Sequence, residues 1–210
     1  MRVVLVRHGE TEENAAHILQ GHSYGTLTAR GKIQISRLAE RLLAEPITKI
    51  LSSDLVRASY TSEQIAASRG IPIVYHQELR ERCLGGFEGG PVASFIEARK
   101  ASDIDELEFS ARGSESLIAV DARARKAWNE IILPVAEQGL VLVSSHGLFN
   151  RVLLSYILGR GLRQIYELEQ ENTCVNIIER DDQGALQIPL INCTSHLKED
   201  ELNRRGVTQY

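Results

Sequence analysis

Cysteine is scarce in this 210-residue chain: three residues, Cys83, Cys174 and Cys193, lie far apart and form no CxxC or Cys/His zinc spacing. Scattered thiols in odd number argue against a disulfide framework and for a reducing compartment. No stretch approaches the roughly 18 apolar residues of a membrane-spanning helix. The opening MRVVLVRHGE also lacks a basic segment followed by a long apolar run, so a cytoplasmic protein is expected. Excess positive charge is missing too: 24 Lys plus Arg stand against 28 Asp plus Glu, a net charge of −4. Neither nucleic acid nor an anionic membrane is therefore an expected partner, and any bound anion must meet a local cluster of cations. Internal repeats, low-complexity tracts and linkers are absent, which points to one domain over residues 1–210.

What is present is ordinary globular composition, 43% hydrophobic and 25% charged, enough for one substantial core. Residues 3–6 form an apolar β-branched run, the signature of a strand buried on both faces in mid-sheet. Thr28 can cap a helix with apolar positions Ile33, Ile35, Leu38, Leu42 and Leu43, closed by Pro46. A strand is expected at 47–51, then a helix capped by Asp54 running to about Ser68, then a strand at 71–75. Residues 114–136 predict a long helix, 140–143 an apolar strand, and 146–159 a further helix. Residues 173–179 and 186–191, flanking Asp181-Asp182-Gln183-Gly184, suit a hairpin. The alternation implies a three-layer α/β/α sandwich with a mixed, mostly parallel sheet. Residues 88–113, with the acidic run 103–108, read as an insertion covering one end of that sheet.

Three of the expected strands end in ionisable residues: Arg7-His8-Gly9, the run from Ser52 to Arg57, and Ser144-Ser145-His146-Gly147. In a parallel sheet these ends share one edge with the helix N-termini, so the groups can converge on one anion. Taken singly, each has a bland explanation. Arg7-His8 could be a solvated loop, Arg57 a helix-start salt-bridge residue, and His146 a cap or core histidine. Asp103-x-Asp105 has the spacing of some magnesium sites but lies in a surface-like acidic run, so no metal is expected. His17, His22, His76 and His196 form no ligand pattern. Among these four, His22 adjoins Gln20-Gly21 and is the one expected nearest a substrate.

The segment LVRHGET at 5–11 resembles the signature of the histidine phosphatase superfamily. SSDLVRASYTSEQIA at 52–66, ELRERCLGGFEG at 78–89, GSES at 113–116 and VSSHG at 143–147 resemble its later blocks, in order. The resemblance spans nearly the whole chain and implies a phosphoglycerate mutase-like fold. It places the nucleophile on His8, phosphate-binding arginines on Arg7 and Arg57, a second phosphate-contacting histidine on His146 and the proton-transferring acid on Glu81. It also lines the pocket with Asn14, Gln20 and Gly21. Gly147 and Arg82 are expected to bind substrate beside them. By its own surroundings, the charged run 78–82 with Glu78 three residues away, Glu81 reads sooner as a surface carboxylate, and it is the resemblance that reverses this. Tyr24-Gly25-Thr26 departs from the Asp-x-Pro common here in the phosphatase branch.

These residue types suit phosphoryl transfer. A neutral imidazole nitrogen is a competent nucleophile, and a phosphorus–nitrogen bond is readily broken again. Fixed guanidinium donors can hold the equatorial oxygens, doing what a metal would otherwise do, so no cofactor is expected. A carboxylic acid can protonate the leaving alkoxide. The resemblance thus implies a metal-independent phosphatase of small phosphorylated metabolites, with a homo-oligomer left open. The competing implication is a cofactor-dependent phosphoglycerate mutase, which needs further cations, whereas 88–113 holds only Arg99, Lys100 and Arg112. A non-catalytic phosphate-binding or scaffolding module would lack one of the key side chains, and all are present.

Overall fold

A computed structural model describes residues 1–67 and 69–202. In chain order the elements are β1 (Arg2–Arg7), α1 (Glu12–Ala15), α2 (Ala29–Leu42), β2 (Ile47–Ser53), α3 (Val56–Ala67), β3 (Ile73–His76), α4 (Val92–Lys100), α5 (Leu117–Lys126), α6 (Leu133–Ala136), β4 (Leu140–Ser145), α7 (Gly147–Ile157), β5 (Val175–Arg180) and β6 (Leu186–Cys193). The six strands form one sheet in the order β3-β2-β4-β1-β5-β6. β3, β2, β4 and β1 run parallel, while β5 and β6 pair antiparallel. The mixed sheet and the α/β class follow the sequence expectation.

Alternation along the strands sorts the core into two layers. Val3 and Leu5 of β1 and Val141 and Val143 of β4 face Val120, Trp128, Phe149 and Leu153 from α5 to α7. Val4, Val6 and Leu142 turn the other way, onto Leu38 and Leu42 of α2 and Ile65 of α3. Each such side chain, fully buried, contributes about 1.5–3 kcal/mol. Both faces of β1 are thus covered, which is why its sequence is continuously apolar. A separate small cluster of Leu19, Leu84, Phe87, Phe95 and Phe109 joins α4 and its flanks to the loops above the sheet edge.

Several local expectations need correction. Thr28 does cap α2, accepting from the Gly31 amide, but Ile33 and Leu43 face solvent, being 48% and 55% exposed. Asp54 does not cap α3: its carboxylate takes two bonds from Arg80 instead, and the Leu55 carbonyl starts the helix. β3 begins at Ile73, two residues later than expected. The end of α3 expected near Ser68 lies at Ala67, and Ser68 itself is outside the described residues. Ser116, not Ser114, caps α5, while the Ser114 hydroxyl accepts from the Ala111 amide. The long helix also widens into a π turn at Ala127–Ile132 before Pro134, where proline removes an amide donor and its ring crowds the preceding turn. Among the described residues no helix is long and apolar enough to cross a membrane.

Candidate active site

β1, β4 and β2 lie side by side with their C-terminal ends on one edge. That adjacency delivers Arg7 and His8, His146, and the Ser53-to-Arg57 turn to the same place. A pocket there is lined by Arg7, His8, Asn14, Gln20, Gly21, Arg57, Glu81, Arg82 and Gly147, together with Leu84, Leu148 and Arg151. Its cavity of about 40 Å³ exceeds the roughly 10–15 Å³ that one water requires. Nine of the ten residues singled out from sequence therefore share one cavity. The tenth, His146, stands directly behind His8, with ring centroids 5.2 Å apart.

The His8 ring is buried and oriented. Its Nδ1–H donates to the Gly9 carbonyl at 2.8 Å, which leaves the lone pair on Nε2, where the Nε–H of Arg57 donates at 3.3 Å. The His8 backbone is fixed equally: its carbonyl accepts from the Thr173 amide at 3.2 Å and from Asn172 Nδ2 at 3.0 Å. Burial first, then the Arg57 and Arg7 charges, hold the His8 pKa well below the usual histidine value. His146 is pushed down in the same way, by burial, then Arg57, then His8. Both imidazoles are thus neutral at neutral pH. His146 Nε2 meets Ser53 Oγ at 2.8 Å.

The arginines are anchored by neutral acceptors. Arg7 Nη1 donates to the Gln170 carbonyl at 2.6 Å. Arg57 donates to the Ser23 carbonyl at 3.1 Å and to the Gly21 carbonyl at 2.7 Å, and burial brings its pKa down to about 10, still charged at neutral pH. Gly147 has a steric reason to be glycine, because a Cβ there would sit 3.3 Å from Arg7 Nε. Gly21, at φ +50°, has another, since a Cβ would collide with the Glu88 carboxylate.

Glu81 is placed by the start of α7. One carboxylate oxygen accepts from the Leu148 amide at 3.0 Å, the other from the Phe149 amide at 3.1 Å and the Arg82 amide at 2.9 Å. Arg82 reaches the pocket, but two of its guanidinium donors go to the Glu115 and Phe109 carbonyls and its face stacks on Phe95. His22 is not among the lining residues: its Nε2 donates to the Glu81 carbonyl at 2.8 Å. Asn14 uses Oδ1 to accept from Thr11 and Asn172, which leaves its amide NH₂ as the end for a ligand. The Asp103-x-Asp105 pair is elsewhere, with Asp105 bound to Arg163. No group of three or more His, Cys, Asp or Glu suited to a metal occurs among the described residues.

Sequence reasoning missed Arg151, Leu148 and Leu84. Helical spacing could have found Arg151, because it lies one turn beyond Gly147 on the same face of α7. Leu84 gave no comparable signal.

Comparison with known proteins bears on this arrangement directly. The profile of the histidine phosphatase superfamily (branch 1) matches residues 3–194. The chain belongs to the histidine phosphatase superfamily. It is 36% identical to the probable phosphoglycerate mutase GpmB of Proteus mirabilis, over 97% of this chain and 100% of that one. To a probable phosphatase of Schizosaccharomyces pombe it is 31% identical, over 97% and 99% of the two chains. Among solved structures it resembles Bacillus stearothermophilus YhfR with a TM-score of 0.83 and 28% identity, covering 93% and 98%. A histidine phosphatase of this kind is a phosphoryl-transfer protein, and the relatives' names divide between phosphatase and mutase.

Proposed function

We propose that this histidine phosphatase hydrolyses small phosphomonoesters through a phosphohistidine on His8, without a metal or organic cofactor. The carrying observation is the His8 Nε2 lone pair, buried and neutral, in one cavity with the Arg7 and Arg57 guanidinium groups. In the first step Nε2 attacks phosphorus and the ester P–O bond breaks. Arg7 and Arg57 hold the equatorial oxygens, aided by His146 and the Asn14 amide, while Glu81 gives a proton to the departing alkoxide. In the second step water loses its proton to the Glu81 carboxylate and attacks phosphorus, and the P–N bond breaks. His8 and free phosphate result.

Hydrolysis is preferred to mutase chemistry because the cations of 88–113 are spent elsewhere. Arg99 pairs with Glu106 and Arg112 stacks on Phe87, and neither these nor Lys100 lines the pocket. A doubly phosphorylated intermediate would need them. We read 88–113 as a cover for the site within a single domain: Phe95 and Phe109 pack on Leu84, which does line the cavity. The convergence of nucleophile, cations and acid also favours an enzyme over a binding module. Mutase activity is the second reading, because the curated relative of 36% identity carries that name.

The test is a screen of phosphomonoesters in excess EDTA, run beside an isomerisation assay supplied with 2,3-bisphosphoglycerate. Turnover of an ester with release of phosphate and little isomerisation is expected. Bisphosphoglycerate-dependent isomerisation at a comparable rate would replace phosphatase by mutase. Folded protein that turns over nothing would favour the binding module.

A further inference from the structure

Outside the pocket, the most heavily bonded charged side chain behind it is Arg123 on α5. Nη1 donates to the Glu78 carbonyl at 3.0 Å and to the Arg80 carbonyl at 2.7 Å. Nη2 donates to the Glu81 carbonyl at 3.2 Å and to Glu115 Oε2 at 2.8 Å, and Nε to Glu115 Oε1 at 2.9 Å. All five guanidinium N–H groups are therefore used, and none is left for a substrate. The residue does not line the cavity.

What these bonds hold is the segment that carries Glu81. Residues 80–84 have no helix or strand bonding of their own, so their backbone groups must find partners elsewhere. Arg123 satisfies carbonyls on and just before that segment, and Glu115 accepts from the Cys83 amide at 3.0 Å. The Arg123 guanidinium also lies over the Phe149 ring, 5.5 Å from its centroid. Phe149 is one of the three residues whose amides bind the Glu81 carboxylate. One ion pair thus braces both the backbone and the carboxylate anchor of Glu81.

We propose that Arg123, paired bidentately with Glu115, is a positioning residue that sets the Glu81 carboxyl in line with the leaving-group oxygen. The inference rests on the reading of Glu81 as proton donor. Misplacing a reacting group by about 1 Å costs on the order of 10²-fold, and the loss should appear only where a proton must be delivered. An alkoxide leaving group needs that proton, while 4-nitrophenolate leaves without it.

The experiment measures kcat and KM for Arg123→Met, Arg123→Lys, Glu115→Gln and Glu81→Ala on β-glycerophosphate and on 4-nitrophenyl phosphate. For Arg123→Met, kcat on the alkyl ester should fall about 10- to 100-fold, with less than about threefold loss on the aryl ester and KM nearly unchanged. Arg123→Lys should recover only part of the loss, because an ammonium cannot reproduce the five-donor fork. Equal loss on both esters, or full recovery with lysine, would reduce Arg123 to general support of the fold and overturn the proposal. If Arg123→Met does not fold, Glu115→Gln decides by the same ratio of alkyl to aryl loss. Glu81→Ala separates the two layers of argument: if it shows no selective alkyl loss, the proton-donor reading fails, and if it alone shows one, only the positioning role fails.

Discussion

Arg57→Met is the sharpest perturbation of the site. Arg57 is 1% exposed and its guanidinium commits three N–H groups to the Gly21 carbonyl, the Ser23 carbonyl and His8 Nε2. One N–H on each Nη remains for an anion. A hydrogen bond to a charged group is worth about 1.5–3 kcal/mol, so two lost donors remove about 3–6 kcal/mol. At about 1.4 kcal/mol per factor of ten, kcat/KM should fall by roughly 10²- to 10⁴-fold. Arg57→Lys restores charge without the fork and should still lose at least about tenfold.

A second signature has a defined sign. After burial, the Arg57 charge is the largest cause holding the His8 pKa down. Removing it lets that pKa rise, so the acid limb of the kcat/KM profile, which requires unprotonated His8, moves to higher pH. The assay is steady-state hydrolysis of 4-nitrophenyl phosphate across pH, with thermal unfolding as the control for folding. A folded Arg57→Met protein within about threefold of the parent, or with its acid limb moved downward, would refute the role given to this residue.

His8→Ala should abolish an acid-labile, base-stable phosphoenzyme on brief exposure to labelled substrate, and undiminished label would place the nucleophile elsewhere. Gly31→Ala should cost about 1–3 kcal/mol, because its Cβ would collide with the Glu10 backbone carbonyl, and the melting temperature should drop by about 2–4 °C per kcal/mol. An unchanged melting temperature would show that this contact yields freely. Stability should also decline as pH falls below about 6.5. His8 and His146 stay neutral in the folded protein while their unfolded counterparts take up protons, contributing up to about 1.4 kcal/mol per pH unit each. Denaturant midpoints at pH 7.5 and 5.5 check this, and a higher midpoint at pH 5.5 would contradict it.

What could be read from sequence was whatever depends on near neighbours or on strong burial. β1 and β4 stand out because strands covered on both faces must be apolar throughout, so the ionisable residues at their ends are conspicuous. α2 stands out because Thr28 and its apolar spacing act within a turn or two. Asp54 misled because its partner, Arg80, is 26 positions away, and a nearby helix start was the only visible claimant. Ile33 and Leu43 misled because two extra apolar residues on the flanks of a helix leave its period intact while facing water. Arg123 drew no attention for the same reason as Arg80: its partners belong to a loop 42 to 45 positions earlier, and only the tertiary fold brings them within reach.

The site must also solve a problem that residue types alone do not reveal. Cations beside a nucleophile invite carboxylates, and a paired arginine has little charge left for a phosphoryl group. Here the Arg7 and Arg57 guanidiniums bond backbone carbonyls instead, at Gln170, Gly21 and Ser23, so they are fixed in place without a direct carboxylate partner. The carboxylate in the pocket, Glu81, makes no hydrogen bond to either arginine and is held instead by the amides that open α7 and the positive end of that helix. Burial does most to keep His8 unprotonated, and the nearby Arg57 and Arg7 charges add to it by opposing a proton on its ring. The charges that would bind phosphate therefore also help keep the proposed nucleophile free of a proton, in the same buried setting that does most of that work.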